Sequence, residues 1–125
     1  MATTREHLIS LHEFLCKQAR DLSVRKNHDY SGGEDARDAF LNFRKCEELG
    51  LCQAETGILV RLSDKIARLN TIAGKDTDYL VNDEKLLDTV LDMINYTILF
   101  YALHQERKMR NKVLDEIAKL GEEMQ

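Results

Sequence analysis

Glu84, Asp88 and Asp92 stand at i, i+4 and i+8, a spacing that lines three carboxylates along one side of a helix, with Asn95 and Tyr96 one turn further on. Like charges so placed repel by only about 0.2–0.5 kcal/mol per pair when solvated, but the cost grows when they leave water and need a compensating cation. Residues 93–103, immediately after Asp92, carry no charge at all. Asp92 and Asn95 are therefore expected at a partly buried level, where polar groups need partners. Arg61, Asp64, Lys65 and Arg68 recur at i, i+3, i+4 and i+7 and form a second polar stripe. Two chemistries fit the pair of stripes. In one, Arg61, Lys65 and Arg68 simply neutralise Asp88 and Asp92 in an ion-pair seam or form a solvated face. In the other, the acids hold Mg²⁺ and the basic residues hold phosphate oxygens, because a hard cation prefers carboxylates and bridges to substrate phosphates. Spacing alone does not choose between them.

The segment Lys26, Asn27, His28, Asp29 and Tyr30, ahead of Gly32 and Gly33, gathers donors, an acid and a ring. It reads as a loop able to grip a base or sugar, or as a plain polar turn with Tyr30 as a core anchor. Asn42, beside Phe43, reads as a buried amide that orients this loop. His28 has no second ligand nearby, and His7 and His12 are five residues apart, off a common helical face, so no histidine metal site is indicated. Phosphate-loop, dinucleotide and zinc-protease patterns are absent, and Cys16 and Ser63 have no triad context.

These side chains need helices to position them. Leu8, Leu11, Leu15 and Ala19 mark a first helix over about 4–22, with Thr3 or Thr4 as its cap. A loop is expected over 25–33, then a short helix over about 35–48 presenting Phe40, Leu41 and Phe43, closed by Gly50. A third helix, about 54–73, puts Ile58, Leu59, Leu62, Ile66 and Leu69 on one stripe and stops before Gly74. After a polar turn over 75–81, Asn82 or Asp83 can cap a long fourth helix that is apolar nearly all round from Ile94 to Leu103. Met109, Val113, Ile117, Leu120 and Met124 follow as a last helix or a continuation of the fourth.

Composition agrees. A length of 125 residues suits one domain over 1–125, with 105–125 as a C-terminal helical extension, and the absence of proline with only 6% aromatics favours helix. An all-α compact bundle of about four to five helices follows. A net charge of −4 disfavours an extensive nucleic-acid surface. No uninterrupted apolar run of membrane length and no signal peptide is read, so a cytoplasmic protein without membrane partners is expected. Cys16, Cys46 and Cys52 suit reduced thiols.

The ordered series Lys26, Asp29 and Tyr30; Phe40-x-Asn42-Phe43; Arg61-x-x-Asp64-Lys65-x-x-Arg68-Leu69; and Glu84-x-x-x-Asp88-x-x-x-Asp92-x-x-Asn95-Tyr96 resembles the nucleotide modification associated domain family, first type. The likeness covers about 20–103. It implies a small helical protein of bacteria or their phages engaged in nucleotide biology, in the host cytoplasm if phage-encoded. More distantly the chain is similar to all-α nucleoside triphosphate pyrophosphatases of the MazG and dimeric dUTPase type, in which helical acids bind Mg²⁺. Those carry E-E-x-x-E on an early helix, whereas Glu6, Glu13 and Asp21 here do not reproduce it. Either Asp29 and Asp64 then substitute, or the chain binds without cleaving.

The expectation from residues and resemblance together is a nucleotide-handling protein, first as a Mg²⁺-dependent hydrolase of a phosphoanhydride. Asp88 and Asp92 would be the principal metal ligands, Glu84 a further ligand or base and Asp64 a supplementary ligand. Arg61, Lys65 and Arg68 would hold phosphate, while Lys26, Asp29, Tyr30, Asn42, Asn95 and Tyr96 complete the nucleotide site. The alternatives are a non-catalytic nucleotide binder, such as a sequestering or base-modification accessory protein, and a structural oligomer. Surplus apolar surface on the fourth helix and the tail points to a homodimer or a dimer of dimers. In it, residues 26–30 of one subunit would close over Asp88 and Asp92 of the next.

Overall fold

The computed structural model describes residues 2–30, 40–74 and 79–124, and of 27–30 and 79–83 the helical backbone alone. Four helices are present among them, α1 (Arg5–Tyr30), α2 (Leu41–Glu48), α3 (Ala54–Ala73) and α4 (Tyr79–Glu123). The chain is all-α.

Thr4 is the cap of α1, its hydroxyl accepting from the His7 amide at 3.1 Å and its carbonyl from Leu8 at 3.0 Å. The loop expected from Arg25 onward is instead helix as far as Tyr30. Arg25 and Lys26 are good helix formers, and Asn27, His28 and Asp29 each lower helix propensity by only about 0.7 kcal/mol or less, with no glycine before Gly32 to end the run. Polarity was mistaken for a break. Gly32 and Gly33 lie outside the described residues, as does the 35–39 portion of the expected second helix, so α2 is seen from Leu41.

Gly50 does end α2. At φ +72° it takes the left-handed conformation that favours glycine, while its N–H donates to Glu47 and that of Leu51 to Cys46, each at 2.9 Å. This double closure satisfies the last carbonyls of the helix. The Gln53 side chain makes no capping bond to α3. Glu47 reaches over from α2 instead, Oε1 accepting from the Ala54 amide at 2.8 Å.

The fourth helix begins at Tyr79, ahead of the expected Asn82 or Asp83 cap, and continues for 45 residues. Acidic and amide residues in a first turn complement the helix dipole rather than stop it. The polar run 105–108 consists of strong helix formers, and no glycine comes until Gly121, so the tail is a continuation of α4.

Lys65 meets Asp92 while Glu55 meets Arg107, so α3 and α4 run antiparallel. α1 packs on α4 and α2 on α3. Phe40, Ala54, Ile58 and Leu103 form the buried centre, with Phe43, Leu62, Tyr96, Leu99 and Phe100 against it. Burial follows the predicted stripes only part of the way. Ile58 is 0% exposed but Leu59 and Ile66 on the same helix are 51% and 57% exposed, and on α1 Ala19 is buried while Leu8 is 60% exposed.

By length and composition α4 is also apolar enough to cross a membrane, with a window of mean hydropathy 1.3 within Glu84–Glu123. This is compatible with the lack of an uninterrupted apolar run, because an average tolerates isolated charges such as Asp92. In the bundle the same helix buries Thr89, Leu91 and Leu103 against its neighbours.

Candidate functional site

Asp92 is where three helices meet. Its Oδ1 accepts from the Lys26 ammonium of α1 at 2.7 Å and its Oδ2 from the Lys65 ammonium of α3 at 2.9 Å. The Asp92 and Lys65 side chains are only 13% and 12% exposed, against 37% for Lys26. Burial pushes the Asp92 carboxyl up, but the hydrogen bonds and charges of the two lysines outweigh it and hold it below the ordinary carboxylate range. The expectation that a half-buried Asp92 needs partners is met, and both partners belong to its own chain.

Beside this clamp opens a cavity of about 220 Å³. Lys26, Arg61 and Asp92 form its charged side. Phe43 and Tyr96 form an aromatic corner, with ring centroids 6.4 Å apart and planes at 85°. Gly57 leaves the space between α2 and α3 open, since a Cβ there would stand 3.6 Å from Phe43 Cδ1 and 3.9 Å from Cys46 Sγ. Asn95 also lines the cavity, and its Nδ2 is buried with no hydrogen-bond partner among the described residues. An unpaired buried donor is costly, so an acceptor entering here would be stabilised.

Of the residues expected from sequence, Lys26, Asn42, Arg61, Asp92, Asn95 and Tyr96 gather around this cavity, with Lys65 behind Asp92. Asn42 is exposed rather than buried, because Phe40 and Phe43 take the core side of α2. Arg68 and Asp88 lie apart, in a second cavity of about 560 Å³ shared with Lys85 and Thr89. Glu84 and Asp64 are exposed and line neither. The side chains of Asp29 and Tyr30 lie outside the described residues. No three acidic, histidine or cysteine side chains group as a metal-binding set among the described residues.

Sequence reasoning did not find Ser23, Cys46, Gly57 and Leu99 as cavity walls, and it assigned Phe43 to the core alone. It also missed a second ionic junction. Arg107 Nη2 donates to Glu47 and, at 2.6 Å, to Glu55, while Arg44 Nη2 donates to both oxygens of Glu106 at 2.6 and 2.8 Å. The Ala54 amide, then Arg107, hold the Glu47 carboxyl below its usual value, and Glu55 and Glu47 raise Arg107. Nothing in local spacing announces pairs 52 to 62 residues apart.

The chain matches no family model, no curated protein and no solved structure.

Proposed function

We propose that the chain binds a phosphorylated nucleotide in the cavity beside Asp92. The observation that carries this is the gathering of Lys26, Lys65 and Arg61 around the Asp92 carboxylate beside the Phe43–Tyr96 corner. Ammonium and guanidinium groups gathered in this way suit phosphate oxygens, which accept charge-assisted hydrogen bonds from them. The aromatic corner suits a base. A volume near 220 Å³ is small for a ligand site, so a base or sugar fills it and the phosphates extend towards exposed Arg61. The resemblance of the residue series to the nucleotide modification associated domain family, first type, points the same way.

The geometry favours the non-catalytic form of this reading. Both Asp92 oxygens already accept from ammonium groups, and the other expected ligands, Glu84, Asp88 and Asp64, are not grouped with it. Among the described residues this donor set does not fit Mg²⁺, which requires several oxygens in near-octahedral array.

A panel of nucleosides and their mono-, di- and triphosphates, with and without Mg²⁺, followed by thermal shift and phosphate release, tests the proposal. A nucleotide should raise the melting temperature well beyond its nucleoside without Mg²⁺, since selective binding to the folded state stabilises it. Equal shifts for nucleoside and nucleotide, or none, would overturn it. Phosphate release only with Mg²⁺ would favour the hydrolytic form instead.

A further inference from the structure

The last part of α4 has apolar side chains that nothing among the described residues covers. Met109, Val113, Leu114, Ile117 and Leu120 are each 50–63% exposed. They are not scattered. Tyr96, Leu99 and Leu103 face the core at alternating spacings of three and four, and the same alternation leads through Glu106 and Arg110 to Val113, Ile117 and Leu120. The face that α4 uses within the bundle thus continues in register beyond Arg107, the last of its residues joined to α2 and α3 by an ion pair. After the charged positions Glu106 and Arg110 the row is apolar at Val113, Ile117 and Leu120, a stripe against which a second helix can pack.

Charge says which helix. Lys108, Arg110 and Lys112 make the first half of the tail positive, whereas Asp115, Glu116, Glu122 and Glu123, against Lys119 alone, make the second half negative; all are exposed. Two copies aligned in parallel would set like charge against like. Aligned antiparallel, each basic half lies beside the other copy's acidic half, and two-fold symmetry makes the match twice. An anionic membrane surface would be repelled by the acidic half and suits the segment less well.

We infer that residues 108–123 of α4 are a self-recognition segment, pairing antiparallel with the same segment of a second copy. Its apolar seam makes the contact, and its split charge sets the orientation. This stands independently of the ligand cavity, none of whose walls it includes.

Charge exchange in the full-length chain tests it. One variant carries Lys108→Glu, Arg110→Glu and Lys112→Glu, a second carries Glu116→Lys, Glu122→Lys and Glu123→Lys, and a third carries all six. Circular dichroism monitors helicity, and light scattering at micromolar concentration reads the mass. The wild type should give twice 14.4 kDa, or 28.8 kDa. The first two variants should each dissociate at least about tenfold more readily, their equimolar mixture should dimerise, and the sixfold variant should regain a homodimer. A monomeric wild type overturns the inference, as do helical first and second variants that stay dimeric alone. A sixfold variant that remains monomeric while helical would overturn the antiparallel orientation.

Discussion

Asp92→Asn changes one charge and almost no volume, which makes it the sharpest probe of the three-helix clamp. Two ammonium groups lose the charge of Asp92. Lys26, 37% exposed, can turn to water, and the amide oxygen still accepts one hydrogen bond. Lys65, 12% exposed, is less able to escape. Leaving a fully buried charge unpaired costs about 3–5 kcal/mol, and a hydrogen bond to a charged group contributes about 1.5–3 kcal/mol. Partial exposure and the surviving bond bring the expected loss to about 2–3 kcal/mol. In a chain of 125 residues that lowers the melting temperature by roughly 6–12 °C. Binding should move the other way. A negative charge is removed from beside the phosphate site, so nucleotide affinity should rise several-fold at low salt, on the order of 1 kcal/mol after screening. Thermal unfolding followed by circular dichroism, with titration calorimetry of wild type and variant at pH 7, reads both quantities. An unchanged melting temperature would refute the clamp. A folded variant that loses a Mg²⁺-dependent response present in the wild type would refute the phosphate assignment and make Asp92 a metal ligand.

Three further outcomes follow from the same geometry. Asp92 and Glu47 are both held below their ordinary values, so the unfolded chain takes up protons first as pH falls. The stability they contribute should be complete above about pH 5 and lost on acidification through the folded-state values, and acid titrations of Asp92→Asn and Glu47→Gln should each show a shallower loss than wild type. Gly57→Ala should stabilise α3 by up to about 1 kcal/mol, because the new Cβ meets only ordinary contacts. It should also weaken ligand binding by narrowing the cavity, and a variant that binds as the wild type does would show that the ligand sits elsewhere. Arg61→Ala should weaken a nucleotide more than its nucleoside, whereas Arg68→Ala, in the separate cavity, should leave both unchanged; comparable effects from the two would undo the division between the cavities.

The all-α class, the Thr4 cap, the Gly50 stop and the existence of α3 and α4 could be read from local spacing, because each depends on residues a turn or two apart. Half-buried Asp92 could be anticipated from the uncharged stretch after it. That Lys26 is one of its partners could not, since they are 66 residues apart and only packing brings α1 across α4. The polar segment before Tyr30 misled for a related reason: polar composition is shared by loops and by solvated helix faces, and only a residue unable to sit in a helix separates them. Asp88 and Asp92, one turn apart on α4, fall into different cavities because different neighbours cover them, and helical periodicity alone carries no record of neighbours.

The unbroken course of α4 also governs how the molecule moves through solution. At 1.5 Å per residue its 45 residues extend about 68 Å, whereas a compact chain of this length is roughly 35 Å across. A body carrying such a rod experiences more friction than a sphere of equal mass, so a single chain elutes early from a sizing column and sediments slowly. Calibrated against globular standards, its elution volume would overstate the mass even with no partner bound. A sedimentation coefficient alone would err in the opposite direction, and only the product of the two measurements, in which shape cancels, returns the number of chains.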